Sequence, residues 1–420
     1  MASLSGYSLT DPAVLDYPYE YYEKMRREAP VYFDEGLQAW LVTRYEDIQQ
    51  AARMTDELSN ALGFDQVVRP EWQDEIDEMM RQEGYGPHII SNTVQVDPPL
   101  HTRRRRLLNG AFDAKTVAGM EDHIRSIARD AMETFVHRGE ADLLAEYAMP
   151  IPIMTVCDLL NFPRDRIQEM GQWADSAVAQ ISMGITREQA YVHARHVMAL
   201  QAFVMDAIEA RRKDPGDDLI SHLVHARIED DENPHLTPEE LMPMCLVVVA
   251  GGVDTTRNGI AWGLYHLASN PEMFQRLKFA PDGGKLIQRF VEETLRHQTV
   301  VPQLPRFAKR ECEIGGVTIP EGSSVFLCWG SANYDEDKFT NAGQFDLERK
   351  NAGTHAAFGA GIHRCVGNML ARMEMKCAFR ELLERFDSLE LSGNPEDLEL
   401  DATLMLRGPA SLPVRFRVAS

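Results

Sequence analysis

Residues 358–372 read Phe358-Gly-Ala-Gly-Ile-His363-Arg-Cys365-Val-Gly367-Asn-Met-Leu-Ala-Arg372. Two glycines and a small residue ahead of the cysteine describe a turn whose backbone passes close to something flat. Just beyond it, Leu370, Met373 and Cys377 recur at helical spacing, which puts Cys365 at or near a helix N-terminus. Backbone N–H groups and the helix dipole favour a thiolate there. A thiolate so held can ligate a soft metal or a haem iron, and on haem iron it pushes electron density toward O–O cleavage. His363 and Arg364 flank it and can pair with anionic groups of a cofactor. A solitary free cysteine is by default a small buried hydrophobe, but Phe, Gly, His, Cys and Gly at these fixed offsets argue against that reading.

Working outward, Thr237-Pro-Glu-Glu240 is a helix start, with Thr at the N-cap, Pro at the first position and Glu three residues after the cap. The helix is expected to run through Met242-Pro-Met-Cys-Leu-Val-Val-Val-Ala250-Gly-Gly-Val-Asp254-Thr-Thr to about Asn270. That is about 33 residues, or roughly 50 Å at 1.5 Å per residue. Its middle is apolar all round, as in a buried central helix. Two adjacent glycines there cost roughly 1 kcal/mol each against alanine, so close approach is demanded. Asp254 and Thr255 then place a carboxylate and a hydroxyl in an apolar setting, hydrogen-bonded or suited to moving protons. The competing reading is a packing glycine pair at a kink, with the Asp turned to solvent.

Composition bounds the rest. The 420 residues are 44% hydrophobic and 26% charged, ordinary for a globular chain with a large core. Forty-three basic against sixty-five acidic residues give a net charge of −22, which argues against general nucleic-acid binding. The six cysteines include no C-x-x-C pair, so neither a disulfide framework nor a zinc site is expected. The start lacks the basic and apolar run of a signal peptide, and the apolar stretch around Met242 to Val253 is too short for a membrane span. A soluble, cytoplasmic protein without a membrane anchor is the expectation. A hairpin at Val31–Phe33 and Ala39–Thr43, a helix from Tyr45, irregular chain from 55 to 99, helices from 111 to 268 broken at Pro150, Pro152, Pro163 and Pro215, and short strands at Cys312–Val317, Ser324–Cys328 and 404–418 complete the outline.

The cysteine segment resembles the haem-binding loop of the cytochrome P-450 superfamily, whose pattern F-x-x-G-x-[RH]-x-C-x-G is met by Phe358, Gly361, His363, Cys365 and Gly367. The resemblance covers essentially the whole chain and implies a mainly α fold with small β-sheets and a long central helix over haem b. It implies one domain over 1–420, with its β-containing part near 1–60 and 300–330 and its helical core near 100–300 and 365–390. It makes Cys365 the metal ligand. Phe358, Gly359, Ala250 and Gly251 become neighbours of the cofactor, and His363 contacts a propionate. Asp97-Pro-Pro-Leu-His101-Thr-Arg-Arg-Arg105 and Arg306 add propionate donors at His101, Arg105 and Arg306. Asp254 and Thr255 match the family's acid–alcohol pair for proton delivery, with Thr256 a less favoured substitute.

Glu293-Thr-Leu-Arg296 has i, i+3 spacing, so its ends share a helix face. Alone that says little, since the same pattern recurs at Glu23/Arg26, Glu78/Arg81 and Glu209/Arg212, where surface pairs are expected. By resemblance Glu293 and Arg296 join Arg349 in a structural triad that locks the haem loop. Tyr334 departs from the family's A-N-R-D pattern, with a small effect on the surface or on the loop's anchoring expected. Arg103, Arg104 and Arg106 are expected to be solvated, and Arg104 and Arg364 to present a basic patch to an acidic redox partner.

The implied activity is a bacterial-type haem-thiolate monooxygenase, hydroxylating an apolar small molecule with O2 and electrons from a separate ferredoxin and reductase. Val247, Ala250, Gly251, Val300, Val301 and Leu304 are the candidate substrate contacts; core packing is the alternative for each. A monomer is expected. The rivals are a peroxygenase using H2O2 directly and a non-catalytic haem binder or sensor.

Overall fold

The computed structural model describes residues 4, 7–61, 72–86, 93–179, 185–227, 234–281 and 284–419. The chain divides into two compact units. The first comprises Met1–Ser59, Met120–Ile151 and Thr255–Ser420, and among the described residues it holds all the strands. Those strands are β1 (Val31–Asp34), β2 (Ala39–Val42), β3 (Leu58–Ser59), β4 (Glu140–Asp142), β5 (Leu304–Ala308), β6 (Cys312–Ile314), β7 (Val317–Ile319), β8 (Ser324–Leu327), β9 (Phe386–Leu391), β10 (Leu400–Ala402), β11 (Arg407–Pro409) and β12 (Pro413–Val418).

The largest sheet runs β1-β2-β8-β5-β3, with only the β2–β8 pair parallel. Apolar β-branched and aromatic residues bury its middle, where Val325, Phe326 and Leu327 of β8 are fully covered. The expected hairpin is β1–β2, in register Val31↔Val42. β6 and β7 form a second hairpin whose turn residues Gly315 and Gly316 sit at φ +57° and +76°, the left-handed region glycine tolerates. A three-stranded sheet β4-β12-β9 closes the C-terminal end, Phe416 stacking on Phe386 at 4.3 Å. The helix Asn368–Arg385 packs its Phe379 ring so close to the Asp254–Ser269 helix that a Cβ on Gly263 would meet it at 2.1 Å.

The second unit, Asn60–Gly119 and Pro152–Asp254, is helical, built chiefly from Gln73–Gln82, Leu100–Ala111, Ile167–Ala179, Arg187–Lys213, Leu219–His225 and Pro238–Gly252. Thr186 and Thr237 cap their helices with full capping boxes to Gln189 and Glu240. The acidic segment expected to be irregular is a helix, Gln73–Gln82. Asp74, Glu75 and Glu78 face outward while Ile76 and Met80 bury against Ala190, Ala194, Val197 and Met198, and the one buried carboxylate, Asp77, accepts from Gln73 Nε2 at 2.8 Å, so the 3.6-residue apolar period outweighs the charge density.

Other expectations need correcting. Pro150 marks a break as expected, between the π-helical turn Leu144–Ala148 and the helix Pro150–Leu160, but Pro152 does not: it lies in that helix's first turn, which has no use for its missing N–H. The central helix is two helices, Pro238–Gly252 and Asp254–Ser269, separated at Val253. Paired glycines weaken that point, and Gly252 packs so close to Val156 that a Cβ would lie 3.1 Å from its methyl. Met373 is only half-buried; the covered face of its helix is Leu370, Met375, Cys377, Ala378 and Leu382. Arg26 is buried and donates to the carbonyl and hydroxyl of Ser331 at 3.1 and 2.8 Å, so it forms no surface pair with Glu23. Among the described residues no helix is long and apolar enough to cross a membrane.

Candidate active site

The cysteine loop belongs to the first unit. Gly359 and Gly361 both adopt φ +67°, and a Cβ on Gly361 would lie 2.2 Å from the Ala52 carbonyl oxygen, so backbone meets backbone there. Between them and the helix Asn368–Arg385, a short 3₁₀ turn (Gly361–His363) carries the chain to Cys365. Its N–H donates to the Phe358 carbonyl at 2.9 Å, and Asn368 Nδ2 donates to the Cys365 carbonyl at 2.8 Å. The thiol is half-buried three residues before an 18-residue helix, at the end where the dipole favours negative charge. Phe358 and His363 are half-buried, and Arg364 is exposed.

Behind the loop lies a charged layer that the sequence only half disclosed. Arg296, fully buried, donates to Glu293 at 2.8 and 2.7 Å and to the carbonyls of Asn333, Ala342 and Gln344. Arg349 Nε reaches the same Glu293 at 3.1 Å, so the structure brings the three triad residues together. Buried charges are tolerated when every donor is matched in this way. The neighbouring Glu292, absent from the sequence reading, accepts from Arg372 at 2.6 and 3.0 Å and from His355 at 3.1 Å. Burial pushes its carboxyl up, but the hydrogen bonds from His355 and Arg372 prevail and hold it down at about 2. His355 Nδ1 accepts from the Ala357 N–H, so its Nε2 carries the proton, and burial lowers its pKa. Arg372 stands 4.4 Å over the Phe358 ring. A signal was available: Arg372 falls two helical turns after Cys365, on a helix that must brace the loop.

Tyr334 is likewise buried, with its hydroxyl donating to the His297 carbonyl at 3.0 Å and its ring stacked on Tyr19 at 4.0 Å. Of the two expected effects the surface one is excluded and an anchoring role in the core stands in its place, since a phenol can bury its ring and still satisfy its hydroxyl. Arg306 is 4% exposed on β5 and donates to the Pro305 carbonyl at 2.7 Å. Val300 is buried, its carbonyl accepting from Arg407 N–H at 2.9 Å, whereas Val301 and Leu304 are partly open. Thr255 is half-buried and Thr256 buried.

In the second unit, His101 is buried in the Leu100–Ala111 helix, and burial followed by the charge of Arg105 lowers its pKa. Arg105 donates to Asn109 at 2.9 Å. Arg104 does not face solvent as expected: it is 6% exposed, while Arg103 pairs with Glu240 at 2.8 Å and only Arg106 is open. The reason is the helix period, which puts Arg104 on one face with His101, Leu107 and Leu108. Along Pro238–Gly252, Val247 and Ala250 are partly open and Gly251 exposed, while the other apolar positions from Leu241 to Val249 are buried. The glycine pair thus divides its labour, Gly252 for packing and Gly251 at an open face with nothing within 4 Å of a Cβ. Asp254, 3% exposed, is the first residue of its helix, where the dipole stabilises the carboxylate; the break at Val253 gives it that place.

Haem b requires a soft axial ligand and donors for two carboxylates. The donor set fits: one half-buried thiol at a helix start, with Arg306 buried on β5 and His363 in the same loop as that thiol. His101 and Arg105 share one helix of the second unit. Among the described residues no cluster of three or more His, Cys, Asp or Glu offers a competing metal site.

Comparison with known proteins agrees. The family model described as Cytochrome P450 matches residues 71–280 and 285–414. Cytochrome P450 107B1 of Saccharopolyspora erythraea is 33% identical over 397 residues, covering 94% of each chain. The 6-deoxyerythronolide B hydroxylase of the same organism is 31% identical over 403 residues, covering 95% of this chain and 96% of the relative. The structure of cytochrome P450 CYP109Q5 from Chondromyces apiculatus superposes with a TM-score of 0.85 over all of both chains at 28% identity.

Proposed function

The chain belongs to the cytochrome P450 family and is a haem b monooxygenase, and from that premise we propose that it hydroxylates an apolar small molecule, using electrons from a separate ferredoxin and its reductase. The observation that carries the reading is the Cys365 loop: a thiol beside a helix start, in a turn fixed by the Phe358 carbonyl and braced by the Arg296–Glu293–Arg349 and Arg372–Glu292–His355 groups.

When bound, the haem activates dioxygen so that one oxygen atom enters the substrate. Cys365 Sγ would be the residue that ligates its iron, and the buttress behind the loop would hold that sulfur in place. His101, Arg105, Arg306 and His363 hold the propionates with charge-assisted hydrogen bonds. Phe358 and Gly359 border the cofactor on the cysteine side, and Ala250 and Gly251 let the helix backbone approach it closely. Thr255 Oγ1 would hand a proton toward the reaction site, and the Asp254 carboxyl, itself protonated from solvent, would return one to that hydroxyl. Val247, Ala250, Gly251, Val301 and Leu304 line the substrate side, with Val300 supporting them from the core. These small and aliphatic groups suit a terpenoid, aromatic or steroid-like compound. The name of the relative 6-deoxyerythronolide B hydroxylase is in keeping with a hydroxylation. The reading takes residues 1–420 as one catalytic domain, monomeric and cytoplasmic.

The test is turnover with a ferredoxin, its reductase and NADH across a panel of apolar compounds. Substrate-dependent consumption of NADH and O2 with a hydroxylated product is expected. Asp254→Asn and Thr255→Ala should consume O2 while forming less product. Turnover with H2O2 alone and none with the ferredoxin would make the protein a peroxygenase; no turnover with either would make it a binder.

A further inference from the structure

Trp329 follows β8, is 2% exposed, and its indole Nε1–H has no hydrogen-bond partner among the described residues. A buried tryptophan N–H ordinarily finds an acceptor, because leaving the donor unpaired forfeits its hydration. Its location narrows what that acceptor is. The atoms nearest to a Cβ on Gly359 are Trp329 Cζ2 at 3.8 Å and Cε2 at 4.0 Å, and Cε2 is the ring carbon bonded to Nε1. The N–H edge of the indole therefore lies against the cysteine loop, one residue from the carbonyl that receives the Cys365 N–H. On its other side the turn is pinned by Gly330 N–H to the Pro302 carbonyl at 2.8 Å. Pro302 leads directly into β5, where Leu304 pairs with Leu327 and Arg306 with Val325. The indole is thus fixed between the strand that carries Arg306 and the loop that carries His363 and Cys365.

We propose that Trp329 Nε1 donates a hydrogen bond to a haem propionate, making it a cofactor-positioning residue beside Arg306 and His363. The inference rests on the haem-thiolate reading above. Two carboxylates offer about eight lone-pair sites, so His101, Arg105, Arg306 and His363 do not exhaust them. An anion is the acceptor that suits this donor best, because charge-assisted bonds are about twice as strong as neutral ones. Rotation is not needed to find it: the ring lies against the Gly359 backbone, and the turn that carries it is pinned by the Gly330–Pro302 bond.

The experiment replaces Trp329 with Phe, which keeps an aromatic ring and removes the N–H, and with His, which restores a ring donor. Haem loss to excess apomyoglobin and the propionate bending bands in resonance Raman are read for each, with native haem and with haem dimethyl ester. Trp329→Phe should lose native haem about tenfold faster, the size expected for one charge-assisted hydrogen bond, and should shift one propionate band. Trp329→His should recover part of both, and the diester should erase the difference between wild type and Trp329→Phe. Unchanged bands and loss rate, or an equal effect with the diester, would overturn the assignment and leave only packing. Wild-type protein that takes up no haem would instead defeat the haem-thiolate reading itself, an outcome distinct from failure at Trp329.

Discussion

Gly361→Ala isolates the geometric demand of the cysteine loop. Two separate costs meet at this position. The first is conformational: φ is +67°, and a residue with a Cβ pays roughly 1–2 kcal/mol to stay in the left-handed region. The second is steric: the new Cβ would lie 2.2 Å from Ala52 O and 3.0 Å from Ala52 C. That is about 1 Å inside the roughly 3.3 Å of a close carbon–oxygen contact. Both partners are backbone, so relief must move the loop or the chain after the Tyr45–Ala51 helix, at the roughly 1–3 kcal/mol typical of overpacking. Together the substitution should cost about 2–5 kcal/mol. Two controls divide that figure. Gly284→Ala, at φ +92° with nothing within 4 Å, carries the conformational part alone. Gly367→Ala, with φ −79° and nothing within 4 Å, carries neither. Urea unfolding of the four proteins should rank wild type and Gly367→Ala together, Gly284→Ala slightly lower and Gly361→Ala lowest. A Gly361→Ala protein no less stable than Gly284→Ala would show that the loop does not press on Ala52, and the geometric account would fall.

Glu293→Gln should lower stability by about 3–5 kcal/mol, because Arg296 and Arg349 would remain buried without their carboxylate; an unchanged urea midpoint would contradict this. The half-buried His297 is held at about 4 by burial and then by the charge of Arg296, with Arg407 acting the same way and Glu293 and the Gly343 carbonyl opposing. Burial of its ring, followed by the charges of His297 and Arg296, also pushes the half-buried His266 well down. The unfolded imidazoles take a proton near pH 6.5 and the folded ones only at lower pH, so the unfolded state binds more protons in between. Stability, intact above pH 6.5, should fall as pH drops toward 4, His297 contributing at most about 3 kcal/mol; His297→Gln should flatten that slope, and an equal slope would refute the assignment. Arg364→Glu, at an exposed position, should slow electron delivery from a ferredoxin several-fold at low salt and less at high salt, without loss of stability. Arg104→Glu, in a buried position near Glu240, should instead destabilise the protein; equal electron-transfer rates for wild type and Arg364→Glu would remove the docking role.

What the sequence disclosed was what local rules control. The Thr237 cap and the thiol beside a helix start both follow from contacts within a few residues, and the structure places each of them there. Long-range partners were less legible. Glu292 and Glu293 are adjacent and chemically alike, yet one serves Arg372 and His355 and the other Arg296 and Arg349, a division set by the helix period and by elements 50 or more residues away. Arg104 and Arg106 illustrate the same limit, since a run of like charges reads as solvated until the helix face is known. The break at Val253 was one of two readings left open, because paired glycines permit a kink without dictating one; the packing against Val156 that decides between them belongs to tertiary structure. Trp329 carried no local cue at all, since only an assembled core makes an unpaired N–H conspicuous.

The most direct test of the central claim is the optical spectrum of the dithionite-reduced protein with carbon monoxide, recorded for wild type and Cys365→Ser. Thiolate ligation by Cys365 predicts a strongly red-shifted Soret band in wild type that is absent from Cys365→Ser. A folded wild-type protein that binds no haem, or one whose Soret band sits at a histidine-like position, would contradict it.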